Sequence, residues 1–154
     1  LLLALISLSC GVFSQSFILS ALDSRIIVWQ ESIKLIKQHS FLGNGLGNST
    51  EALSEAFKQI NYEKGIAQGY NAQNQFLESF LEMGVIGFAL LVAFMVYSYW
   101  MAWIERNKLY FSYLSVIMIY MMTESLWQTQ MGMVSFAFFN ALFLASFYAK
   151  KSKV

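Results

Sequence analysis

Four stretches without a charged side chain constrain this chain more than any other feature: residues 1–22, 83–104, 109–123 and 125–149. A helix needs about 20 such residues to cross a bilayer, and within hydrocarbon only helices and closed barrels satisfy their own backbone polar groups. The first, second and fourth stretches meet that length. The third meets it only by running from Leu109 to Trp127 and taking Glu124 inside it. Charged residues make up 12% of the chain, against about 25% in ordinary soluble domains. The expected fold is an all-α, polytopic membrane helix bundle. Its spans fall at about 1–22, 84–104, 109–127 and 131–149, forming one membrane domain with a large helical loop over 23–83.

Several function classes drop out at once. A formal charge of +1 offers no basic face to nucleic acid. Cys10 is the single cysteine, so no intrachain disulfide forms, and one histidine without a Cys/His cluster cannot build a common zinc site.

Short loops set orientation, because Lys and Arg close to helix ends resist translocation. Arg106 and Lys108 in one short turn and Lys150, Lys151 and Lys153 in the tail therefore belong in the cytoplasm. Alternation then puts 23–83 on the outer side. Trp29 and Trp127 fall at the outer boundary and Trp100 and Trp103 at the inner one, the level amphipathic rings prefer. The chain opens at Leu1 in an apolar run with no basic leader, a poor fit to a signal peptide, and reads as a fragment. Ser9, Ser16 and Ser20 share one face of the first span, suited to packing against upstream helices of a longer chain.

Within the loop, Ser24 is placed to cap an amphipathic helix bearing Ile26, Trp29, Ile33 and Ile36, expected to lie at the membrane surface. The run Gly43-Asn44-Gly45-Leu46-Gly47 reads as a turn, since it lacks the strand and helix spacing of a phosphate cradle. Asn48 and Glu51 resemble a capping box for a helix to about Gln59, Asn61 to Tyr70 reads as loop, and Asn71 is placed to cap a helix closed by Gly84.

The order of these pieces resembles the bacterial O-antigen ligase and polymerase family. Gln73-Asn74, nine residues, then Gly84-Val85-Ile86-Gly87 is similar to the family's His-Asn, nine residues, Gly-x-x-Gly at the end of a large periplasmic loop. Arg25 with Trp29, followed by Ser40-Phe41-Leu42-Gly43-Asn44-Gly45-Leu46-Gly47, looks like the Arg-x-x-x-Trp and glycine segments that open that loop. Thr123-Glu124-Ser125 with Gln130 and Gly132 is similar to some members. The resemblance covers most of the chain, as the C-terminal third of a longer bundle.

The resemblance implies an inner-membrane glycosyltransferase that moves a glycan from an undecaprenyl diphosphate carrier to an acceptor hydroxyl, such as lipid A-core, on the periplasmic face. It needs no metal or cofactor. Its partners are the lipid-linked donor, a lipid or glycan acceptor, the membrane and upstream helices of the same chain. A departing diphosphate needs positive charge, and an arginine fork suits phosphate oxygens better than a lysine point charge. Arg25 matches the family's loop arginine. Gln73 stands where the family has a histidine credited with base catalysis, and an amide cannot take up a proton at neutral pH. Either another group serves as base, with Glu78, Glu124 and His39 as candidates, or positioning and leaving-group stabilisation suffice. The expected site is Arg25 and Gln73 as catalytic residues, with Asn74, Trp29, Glu78, His39 and Glu124 binding substrate.

Each residue also has a plainer reading. Arg25 suits an interfacial anchor, Asn74 a helix cap, His39 a cation at a helix C-terminus, and Gly84 a packing or kink position. The rival functions are a polymerase of the same family, an inactive relative, and a transporter or non-catalytic membrane subunit. Transport of charged solutes commonly requires mid-span charges, which these apolar stretches lack.

Overall fold

The computed structural model describes residues 23–39 and 41–151. The expected first span, with Cys10 and the serine face, and the tail lysine Lys153 lie outside the described residues. Within them the chain is all-helical, with no strand. Helix α1 covers 23–38; α2 is Ser49–Gln59, α3 Glu63–Gln68, α4 Gln75–Ile104, α5 Lys108–Thr123 and α6 Gln130–Lys151, with a 3-10 turn at Leu126–Gln128 before α6.

Helices α1 to α3 and the first turns of α4 gather around Val28, Leu53, Phe57, Ala72 and Leu81. On α1 the buried stripe is Ser24, Val28, Glu31 and Ser32, with Trp29, Leu35 and Ile36 at its edges. Ile26 and Ile33, expected on the apolar face, point outward. The turn of α1 is thus rotated from the one its isoleucine spacing predicts, because Val28 rather than Ile26 meets Leu53 and Phe57.

Three local expectations are corrected. Asn48 has helical backbone and makes no cap hydrogen bond; its amide donates instead to the Asn44 carbonyl at 3.3 Å. The stretch expected as loop contains α3, one short helix sealed by Gly69 in the left-handed region, φ 58°. The cap of α4 is Asn74 rather than Asn71: its Oδ1 accepts from the Phe76 and Leu77 amides at 2.9 and 3.1 Å, while Asn71 accepts from the Gln73 amide. The first and third involve competing asparagine turn chemistry that spacing alone does not rank.

Beyond Gly84, helix α4 is uninterruptedly apolar. Its buried positions Gly84, Gly87, Leu91, Met95, Ser98 and Ala102 recur every three or four residues, and Leu91, Met95 and Ala102 of that stripe pack against α5 and α6. The rest of its surface is exposed apolar side chain, including Leu90, Val96 and Trp100. Burying one stripe while exposing the others suits a lipid or helix-packed environment. Both α4 and the Gln130–Phe147 part of α6 are long and apolar enough to cross a membrane; α5 is apolar but shorter. It stops at Thr123, short of the Trp127 expected, because Glu124 and Ser125 leave helical backbone before the 3-10 turn. At the other end Asn107 caps α5, accepting from the Tyr110 amide at 3.0 Å, and folds it back along α4. Tyr110 donates to Asn140 of α6 at 2.8 Å, pairing two buried polar groups inside the three-helix layer.

Candidate functional site

A kink and a glycine turn organise the site. Gly84 interrupts α4 with φ 63° and ψ −154°, a conformation closed to other residues without strain. In the turn leading into the kink, the Leu81 carbonyl accepts from the Asn44 amide at 2.7 Å and the Glu82 carbonyl from the Gly45 amide at 2.9 Å. Asn44 Nδ2 adds a second bond to Leu81 at 3.1 Å, and the Gly47 amide donates to Glu82 Oε1 at 3.1 Å. Gly43 is left-handed, φ 71°, and a Cβ there would stand 2.5 Å from the Glu82 oxygen and 2.6 Å from the Gly84 nitrogen. The two glycine motifs, distant in sequence, are therefore the two halves of one backbone-to-backbone contact.

Next to this clasp sits Glu78, fully buried on α4 nearly two turns before the kink and ahead of the apolar stretch. Its Oε1 accepts from the Ser49 hydroxyl and from Gln128 Nε2 at 3.1 Å; its Oε2 accepts from the Ala72 amide at 2.8 Å and the Ser125 hydroxyl at 3.3 Å. Burial pushes its carboxyl above the usual range; hydrogen bonds from Ser49 and the Ala72 amide oppose that, and Glu82 adds to it. Gln128 also reaches Glu82 Oε1 at 2.7 Å, and Gln75 Oε1 accepts from the Trp127 amide at 2.7 Å. With four donors on its two oxygens, Glu78 ties α2, the approach to α4 and the α5–α6 connection together rather than presenting a free carboxylate. The sequence reading missed Ser49, Gln75, Glu82 and Gln128. Gln75, Glu78 and Glu82, at helical spacings of three and four, were the available signal that a polar face of α4 would need partners.

The remaining candidates converge on the C-terminal end of α5. Arg25 Nη1 donates to the Thr123 carbonyl at 2.8 Å, and Nη2 to Glu124 Oε1 at 3.1 Å. Asn74 Nδ2 donates to the Met122 carbonyl at 3.0 Å while its Oδ1 caps α4, so one side chain joins the start of α4 to the end of α5. The last carbonyls of a helix attract cations and donors, which explains why an arginine and an amide collect there. A guanidinium has five N–H donors; two are engaged among the described residues, and the Arg25 side chain keeps 28% of its surface exposed. Donors therefore remain for an anion.

Gln73, beside this cluster in sequence, has left-handed backbone, φ 48°. Its side chain is half-buried and makes no hydrogen bond among the described residues. Trp29 lies one turn along α1 from Arg25, packed on the α1–α3 core with its indole N–H buried and without a hydrogen-bond partner among the described residues. His39 is exposed at the end of α1; its carbonyl accepts from the Gly43 amide at 3.1 Å, and no contact joins its ring to Arg25 or Glu124. The structure thus brings Arg25, Asn74 and Glu124 together, embeds Glu78 in the adjoining network, and sets Trp29 and His39 apart. No cluster of metal-ligating side chains occurs among the described residues.

No curated protein and no solved structure matches the chain. A family model described as O-antigen ligase matches residues 11–92, just over half its length, from before Arg25 through the Gly84–Gly87 kink. The chain belongs to the O-antigen ligase family.

Proposed function

We propose that this chain is part of a multi-pass glycosyltransferase of the bacterial inner membrane, transferring a glycan from an undecaprenyl diphosphate carrier to an acceptor hydroxyl, lipid A-core or a similar glycan or lipid. The reading puts residues 23–83 in the periplasm, the C-terminus in the cytoplasm, and spans at about 1–22, 84–104, 109–127 and 131–149, with no metal taking part. Family membership supports the reaction class. The observation that carries the site is Arg25, fixed by the carbonyl of Thr123 and by Glu124 with guanidinium donors left over.

In this reading the free donors of Arg25 meet the diphosphate oxygens as the sugar–phosphate bond breaks. Charge-assisted, forked bonds of this kind strengthen as negative charge develops on the leaving group. Gln73 uses its unengaged amide to orient the acceptor hydroxyl. Glu124, partly exposed and paired with Arg25, is the carboxylate that takes the acceptor proton. Asn74 holds the two helix ends in register, and Glu78 holds the loop that carries Gln73. Trp29, packed on the α1–α3 core, and His39, exposed at the end of α1, stand outside this centre.

The test is transfer by the purified full-length protein from a synthetic undecaprenyl diphosphate glycan, with and without a chelator. Product formation that survives chelation supports the reading. Failure to release undecaprenyl diphosphate with any acceptor contradicts it.

A further inference from the structure

At the opposite end of α4, the α4–α5 turn holds a cleft of about 580 Å³. Ala102 and Phe111 give it an apolar floor, and Trp103, Ser112, Arg106 and Lys108 stand around it. Neither Arg106 nor Lys108 forms an ion pair with a described residue. The cleft lies where the apolar run of α4 ends at Ile104 and that of α5 begins at Leu109, the level of a bilayer interface for helices that cross it. Trp103, 73% exposed, has the amphipathic ring favoured at that level.

We propose that this cleft binds an acidic glycerophospholipid, its phosphate between Arg106 and Lys108 and its glycerol and upper acyl chain against Trp103 and Phe111. Two cations with no ion pair among the described residues select for negative charge, and basic pockets between membrane helices hold acidic headgroups in this way. A small soluble anion would satisfy the cations but leave the apolar floor wet, so the occupant carries both a phosphate and a hydrocarbon part. The inference rests on α4 and α5 crossing a membrane, not on glycan transfer.

The experiment uses the full-length protein in phosphatidylcholine nanodiscs doped with brominated phosphatidylglycerol, whose bromines quench nearby tryptophan. The Trp103 signal is isolated as the difference from Trp103→Phe. Quenching by brominated phosphatidylglycerol at roughly tenfold lower mole fraction than by brominated phosphatidylcholine is expected. The preference should vanish in Arg106→Gln/Lys108→Gln and persist in Lys108→Arg, which keeps the charge and reports on folding. Equal quenching by the two lipids, an unchanged preference in the double glutamine variant, or displacement of the brominated lipid by excess inorganic phosphate would overturn the proposal. Glycan transfer is measured separately on the same variants, so its absence leaves the lipid result readable.

Discussion

The Arg25 guanidinium reaches Glu124 at 3.1 Å across 99 residues of sequence, linking the first helix of the loop to the last polar turn before α6. At 28% and 43% side-chain exposure the pair adds about 1 kcal/mol or less to stability. Its value is geometric. It holds a forked cation at one angle while leaving part of the fork open. Glu124→Gln keeps the hydrogen bond but removes the opposing charge. In the proposed mechanism this variant keeps donor binding within a few-fold and slows transfer by about 10²-fold through loss of the base. Initial rates and donor affinity of the variant beside wild type check this: transfer within a few-fold of wild type would remove Glu124 from proton transfer.

Gly43 and Gly84 supply a stability test with an internal control. Gly43→Ala drives a Cβ into the backbone of Glu82 and Gly84 and should lower stability by about 2 kcal/mol or more, combining left-handed strain with the clash. Gly47→Ala is also left-handed, φ 79°, but meets open space, so only the strain of about 1 kcal/mol applies. Thermal unfolding of the full-length protein in detergent ranks the two; equal losses would mean that the clasp does not hold in solution.

Glu78 should make stability depend on pH. Its folded-state pKa is raised, chiefly by burial, so its favourable contribution is complete below the ordinary carboxylate pKa and is lost as pH rises through the raised value. Glu78→Gln should therefore gain on the wild type as pH rises above the ordinary carboxylate range. Glu78→Ala strands the Ala72 amide and the Ser49 and Ser125 hydroxyls and should cost about 3 kcal/mol. A stability difference between Glu78→Gln and wild type that stays flat with pH would contradict the assignment.

Gln73→His restores the family's side chain at a left-handed position, φ 48°, where histidine is better tolerated than most residues. Transfer should be preserved or raised by up to about 10²-fold and acquire a pH dependence near 6.5. Complete loss of transfer, with unfolding unchanged, would mean that the pocket has been rebuilt around the amide.

Much of this architecture was legible in advance because its determinants are local. The charge-free runs mark α4 and α6, and a glycine after a loop helix marks the kink at Gly84. What spacing alone could not rank was the choice between neighbouring turn residues: Asn71 and Asn74 each offer an oxygen to nearby amides, while Asn48 turns to the Asn44 carbonyl and Ser49 to Glu78. The rotation of α1 depended on Leu53 and Phe57, contributed by another helix. At the site, family motifs picked out Arg25, Asn74 and Glu124 one by one, while their meeting at the end of α5 is a tertiary fact. The polar network of Gln75, Glu78, Glu82 and Gln128 stayed hidden because amides and carboxylates on a helix look alike whether solvated or buried.

The most direct measurement is the rate at which the purified full-length protein with Arg25→Ala releases undecaprenyl diphosphate from a defined lipid-linked glycan, beside wild type and Arg25→Lys. The account predicts a fall of about 10²- to 10³-fold for alanine, partial recovery by lysine, and unchanged membrane insertion. Release by Arg25→Ala within a few-fold of wild type would contradict it.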